Sequence, residues 1–250
     1  SFSNLFFTAA FAFSISIAVM SGALATPRPI EQPISNPDLT KACGLNVLMI
    51  LDESGSIGSS HATQDVRNAF KAFTDAIKNT SSAMAVAEFS KVARLPVIGS
   101  FQPGEYITVT DSTKVALDAY IDNNYNPNGN TNWEDGLRMG IPNFAPRNNF
   151  QVPHLTVFIT DGDPNQIIRS DNVTAAEYAN KVPLADSETT GVSENTAADH
   201  AVANANNLKA QGSHVLTIAV GSGLSSTSSL NRLIKVSGPD VYDGVGDFDI

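Results

Sequence analysis

The chain has 250 residues, of which 42% are hydrophobic and 16% charged. That balance suits one globular α/β domain with an appendage and excludes a disordered or fibrous protein. The formal net charge is -10 and no stretch concentrates Lys or Arg, which excludes the footprint of a nucleic-acid binder and favours cations or basic partners.

Residues 1–25 carry no charge, and the apolar run from Leu5 to Met20 is followed by Ala23-Leu24-Ala25, the small-x-small shape of a signal-peptidase site. The expectation is an export signal over 1–25 whose basic start is cut off. The mature chain would then begin at Thr26, be secreted or cell-surface, and keep no stable membrane span. A membrane-anchoring helix is the competing reading, because Leu5 to Ala25 is just long enough to cross a bilayer. Pro27, Pro29, Pro33 and Pro37 then mark an extended, proline-rich linker over residues 26–44. Cys43, the single cysteine, is expected as a small half-buried residue at the foot of a strand, unless it pairs with a cysteine outside this sequence.

From Leu45 onward short apolar runs alternate with helical spacing. Asn46–Leu51 predicts a strand buried on both faces. Val66, Ala69, Phe70, Phe73 and Ile77 follow helical periodicity. The runs "AMAVAEFS" and "VARLPVIGSF" predict a hairpin over residues 83–101. Helices are expected over Thr113–Ile121, with Leu117, Tyr120 and Ile121 inward, and from near Asn132 to before Pro142. Leu155–Thr160 predicts another buried strand, and Ala198, Ala201, Val202, Ala205 and Leu208 a helix ending at Gly212. "HVLTIAVGSG" adds a strand, Leu230–Val236 a helix, and Asp240–Tyr242 a last short strand. Alternating strands and helices imply a mostly parallel sheet covered on both faces.

Two strands end on acid and glycine: "LDESGSIG" and "ITDGDP". In an open parallel sheet such ends converge at the switch point of strand order, which lets Asp52 and Asp161 meet. Ser54 and Ser56 lie two apart in an extended loop and can point the same way. "NPNGNTNWEDG" supplies Thr131. Hydroxyls and carboxylates without His or Cys describe a hard-cation site, suited to Mg2+ or Mn2+ rather than Zn2+.

Asp52-Ser54-Ser56 as D-x-S-x-S, Thr131 in "GNTNWEDGL" and Asp161 in "ITDGDP" together resemble the metal-ion-dependent adhesion site of von Willebrand factor type A domains. "MAVAEFSKVARL" and "TIAVGSG" are similar to the family's second and third strands and to its fifth. The resemblance covers residues 45–250. It implies a doubly wound, six-stranded, mostly parallel sheet with one antiparallel strand, and leaves the closing helix outside the chain. It also implies that Ser54, Ser56 and Thr131 coordinate the metal, while Asp52 and Asp161 act largely through water. Such a cation stays under-neutralised and takes a carboxylate from a protein partner.

Plainer readings stand beside these. Asp52, Ser54 and Ser56 taken alone make a turn and a helix cap, and Thr131 caps the Trp133 helix. Glu53, Asp163 and Trp133 are candidate rim contacts for a partner. For Glu53 and Asp163 the plain alternative is a solvated side chain, and for Trp133 a core aromatic. His61, His154, His200 and His214 share no ligand spacing. Asn79-Thr80-Ser81 and Asn172-Val173-Thr174 match the glycosylation sequon. The function expected is a non-enzymatic adhesion module. A metal-dependent hydrolase and a structural brick of a larger surface protein are the alternatives, although G-x-S-x-G, the P-loop and H-E-x-x-H are absent.

Overall fold

The computed structural model describes residues 30–39, 43–141, 151–168 and 192–238. The first part of the chain forms β1 (Asn46–Asp52), α1 (Gly55–Ser59), α2 (Thr63–Ile77), β2 (Ala83–Phe89), β3 (Ala93–Arg94), β4 (Ile107–Thr108) and α3 (Asp111–Asn123). There follow α4 (Trp133–Arg138), β5 (Leu155–Thr160), α5 (Glu194–Ala210), β6 (His214–Ala219) and α6 (Thr227–Ser237). The expected export signal, the strand over 240–242 and the Asn172 sequon lie outside the described residues.

The six strands make one sheet in the order β3-β2-β1-β5-β6, with β4 also paired to β2. β2, β1, β5 and β6 run parallel, as the continuous apolar runs require. The antiparallel edge comes in two pieces on the same side of β2: β3 faces Glu88 and Phe89, and β4 faces Ala83 and Met84. The β-run expected over 92–101 stops at Arg94. Pro96 has no N–H to give to a ladder, and only an isolated bridge joins Ile98 to Phe101.

Side-chain alternation splits β1 between two cores. Val47, Met49 and Leu51 pack with Val66 and Phe70 of α2 and with Leu117, Tyr120 and Ile121 of α3. Leu48 and Ile50 face the other way, among Trp133 and Leu137 of α4 and Ala201 and Leu208 of α5. All five β1 side chains are fully buried, so trimming Leu48 or Ile50 to Ala should cost about 2–5 kcal/mol.

Helices α3 to α6 start on side-chain caps, whereas α1 and α2 have no such bond. Thr110 and Thr113 form a reciprocal capping box at α3, while Ser193 and Ser226 cap α5 and α6. At α4 the cap is Asn132, whose side chain accepts from the Asp135 amide at 3.1 Å. Thr131, the residue expected to cap this helix, sits one position too early.

Within the proline-rich stretch, residues 30–39 have no regular structure and are docked on the domain. Asn36 Nδ2 donates to the carbonyls of Val215 at 3.0 Å and Ser237 at 2.6 Å, and Asn36 Oδ1 accepts from the Val215 amide at 2.9 Å. One side chain thus mimics a strand partner for β6 and ties down the end of α6. Asn206 binds the Ile34 amide and the Gln32 carbonyl, and Lys209 donates to the Ile34 carbonyl at 2.9 Å. Within this docked stretch Pro33 and Pro37 lack backbone donors, and side chains from the domain satisfy strap backbone groups at Gln32, Ile34 and Pro37. Cys43 lies at the foot of β1 as expected but is exposed rather than half-buried. Among the described residues no helix is long and apolar enough to cross a membrane.

Candidate metal centre

Strand order reverses between β1 and β5, since the chain leaves β1 for β2 on one side and returns to β5 on the other. Asp52 closes β1 and Asp161 follows β5, so both stand at the carboxyl ends flanking the switch point. Leu51 pairs with Ile159. One residue further along, Thr160 Oγ1 donates to Asp52 Oδ2 at 2.5 Å. That hydroxyl also accepts from the indole N–H of Trp133 at 3.3 Å.

The serine arm is built on the turn after Asp52. The Ser54 amide donates to Asp52 Oδ1 at 2.8 Å, which folds the loop back over the strand end. Ser54 Oγ and Ser56 Oγ are 2.8 Å apart and hydrogen-bonded. Ser56 Oγ donates to Asp161 Oδ1 at 2.7 Å, and Ser60 Oγ to Asp161 Oδ2 at 2.5 Å. Asp52, Ser54 and Asp161 are buried, whereas Ser56 is half-buried, so the cluster opens to solvent at Ser56. Gly223 closes the floor: a Cβ there would stand 2.1 Å from the Asp161 carbonyl oxygen, closer than any side chain can come.

Thr131 reaches this cluster through its backbone. Its amide donates to Asn165 Oδ1 and its carbonyl accepts from the Asn165 amide, both at 3.0 Å, which clasps it to the Asp161 loop. On the other flank the Gly55 amide donates to the Gly129 carbonyl at 2.8 Å. Gly129 has a φ of +101°, a conformation glycine adopts without strain. The structure therefore links Asp52, Ser54, Ser56 and Asp161 by side-chain hydrogen bonds and brings the Thr131 loop alongside both of their loops.

Burial pushes the Asp52 carboxyl up to about 7; hydrogen bonds from Ser54 and Thr160 oppose the rise, and the Asp161 charge adds to it. Burial, with Glu88 close by, likewise raises Glu53 to about 7, against the pull of the Asn126 amide and Arg94. Burial thus disfavours the charged form of Asp52, and a cation beside it would relieve that cost. Among the described residues no three His, Cys, Asp or Glu side chains gather into a metal site, so a cation here depends on hydroxyl oxygens. Every donor in the cluster is oxygen, which fits a hard divalent ion.

The three residues considered for the rim are placed elsewhere. Trp133 is fully buried, edge-on to Phe158 at 5.8 Å, so its aromatic surface belongs to the core. Glu53 is 3% exposed and pairs with Arg94 at 2.6 Å instead of facing solvent. Asp163 is held by Arg232 through both oxygens at 2.7 Å and by Ser229 at 2.6 Å. Burial pushes its carboxyl upward, but Arg232 and Ser229 outweigh that and hold it below its usual value.

Sequence reasoning missed Thr160, Ser60, Asn165 and Tyr125, whose hydroxyl donates to the Asp52 carbonyl. Thr160 left a faint signal as a hydroxyl at the end of an apolar strand, immediately before Asp161. Of the histidines, His154 and His214 stand at the entry of β5 and β6, and His200 lies 3.9 Å from Glu134.

The chain belongs to the von Willebrand factor type A domain family, whose model matches residues 46–249. Among solved structures it is similar to a mutant of the PilB minor pilin from Streptococcus sanguinis. That match has a TM-score of 0.52 at 18% identity, covering 80% of this chain and 57% of the pilin. It is also similar to proximal thread matrix protein 1 from the mussel byssus with a zinc-occupied MIDAS motif, at TM-score 0.49 and 20% identity over 80% of this chain and 40% of that one. The manganese-loaded TRAP protein of Plasmodium vivax matches at TM-score 0.46 and 17% identity, covering 80% and 66%. At 18% identity the likeness to the pilin shows the fold alone, and this chain spans less than two thirds of the pilin and of the byssus protein. None of the curated proteins matches it.

Proposed function

We propose that this domain is a secreted or surface-displayed adhesion module that holds Mg2+ or Mn2+ at Asp52, Ser54, Ser56, Thr131 and Asp161 and grips a carboxylate of a protein partner. One observation carries the reading: the hydrogen-bonded chain from Asp52 through Ser54 and Ser56 to Asp161, at the switch point of the sheet, open to solvent at Ser56. The cation, when bound, supplies a positive centre that accepts an outside anionic oxygen. Ser54 and Ser56 offer neutral oxygens, so they leave that centre's charge largely in place. Asp52 and Asp161 are pinned by Thr160 and Ser60 and keep their carboxylates aimed inward. Membership of the family and the fold shared with a minor pilin support a role in surface attachment.

The test is binding of the natural partner with and without EDTA, with Mg2+ restored afterwards. Loss on chelation, recovery on adding Mg2+, and loss when one partner Glu or Asp becomes the matching amide would support the reading. Binding that survives EDTA unchanged would place recognition on another face.

A further inference from the structure

Thr131 stands at the end of a loop over residues 124–132 that has no regular structure and is rich in Asn, Pro and Gly, so something must fix its register. Asn165 clasps Thr131 itself from the Asp161 side, and the stretch before it is fixed along the serine arm. The Tyr125 hydroxyl donates to the Asp52 carbonyl, the Asn128 amide to the Glu53 carbonyl at 2.7 Å, and the Gly55 amide to the Gly129 carbonyl at 2.8 Å. The Asn126 amide donates to Glu53 Oε1 at 2.8 Å. Glu53 thus binds this loop twice, once through its backbone and once through its side chain. Its other oxygen, Oε2, accepts from Arg94 of β3 at 2.6 Å, and Arg94 in turn donates to Glu88 at 2.8 Å. The Glu53 amide donates to the Phe89 carbonyl at the end of β2.

We propose that Glu53 is the positioning residue of the Thr131 arm, holding the 124–131 loop against the Asp52–Ser56 loop so that the threonine oxygen meets the same cation as the serines. The role rests on the metal-binding reading above. The part that matters is the reach of an acceptor oxygen to the Asn126 amide, and Arg94 steadies that oxygen from the far side. Glu53 itself contributes no oxygen to the cation.

The experiment is cation affinity, by calorimetric titration of Mn2+ at a temperature well below melting, into full-length wild type and variants. Glu53→Ala should lower affinity about tenfold, the usual effect of losing a group that orients a ligand. Glu53→Gln keeps an acceptor at the same reach and should stay within about threefold of wild type. Glu53→Asp keeps the charge but falls one methylene short, and should resemble the alanine variant. In the Glu53→Ala background, Thr131→Ala should cost clearly less than it does in wild type, because the threonine is already less well placed. If Glu53→Ala does not fold, the Gln and Asp variants decide alone. An Asp variant that binds better than the Gln variant, or effects of Glu53 and Thr131 that simply multiply, would overturn the proposal. A wild-type chain that takes up no Mn2+ removes the underlying reading and this proposal with it, whereas wild-type binding matched by Glu53→Ala overturns this proposal alone.

Discussion

The hydroxyl of Thr160 donates to the carboxylate of Asp52 over 2.5 Å, across the seam where the sheet reverses its strand order. The two residues are far apart in sequence and both fully buried. Their contact fixes where the first acid of the site points. Replacing Thr160 by Val keeps the shape and removes the donor, which should cost about 1–3 kcal/mol for a buried carboxylate that loses a partner. Thr160→Ser keeps the donor and should cost only about 1 kcal/mol for the missing methyl. Urea unfolding of the two variants checks this; equal losses would show that the hydroxyl does not matter.

Gly223 sets a steric limit on the second acid. A methyl group there would press on the Asp161 carbonyl, so Gly223→Ala must displace the backbone that carries the carboxylate. The expected result is a folded protein that has lost most of its melting shift with Mg2+. A full shift in this variant would mean that Asp161 can move without harm to the site.

The docked strap gives a prediction about stability. Asn36→Ala removes the hydrogen bonds to Val215, Ser237 and His214 and leaves the Val215 amide and carbonyl without that side chain. A loss of about 2 kcal/mol, or roughly 5 °C in melting temperature for a domain of this size, is expected. A chain beginning at Leu45 should lose at least as much, and a chain beginning at Ile30 should not. Thermal melts of the three proteins decide the point.

Lys209 makes the stability of the strapped fold rise with alkali. Burial lowers its ammonium from 10.5 to about 8, and the group is 3% exposed. Between those two pH values the folded chain has lost the proton that the unfolded chain still holds. Stability therefore rises with pH from about 8 to 10.5, by up to about 3 kcal/mol, and below pH 8 the burial cost is paid in full. Lys209→Met should abolish this rise relative to wild type. Parallel pH profiles for the two proteins would contradict it.

Much of the fold was legible because the sheet is buried on both faces. Runs such as Asn46–Leu51 and Leu155–Thr160 can hardly be anything but central strands, and β5 matches its expected bounds. The D-x-S-x-S turn, Thr131 and Asp161 could be found because they cluster at strand ends. Helix α1 is not legible because two glycines in five residues argue for a turn, yet Ile57, its one apolar residue, is fully buried in the core. Sequence alone places Glu53 and Asp163 at the rim or in solvent, because acids usually are there. Their partners, Arg94 and Arg232, come from other elements, and no local pattern announces them. The strap was missed for the same reason, since Asn36 finds Val215 only once the chain has folded.

The most direct test of the metal centre is the melting temperature of the whole chain, after EDTA treatment and then with excess Mg2+ or Mn2+, for wild type and Asp52→Ala. A ligand at about a hundred times its dissociation constant adds about 2.7 kcal/mol, which for this domain is a rise of roughly 5–10 °C. The account predicts that rise in wild type and none in Asp52→Ala. Identical melting of both proteins with and without the cations would contradict it.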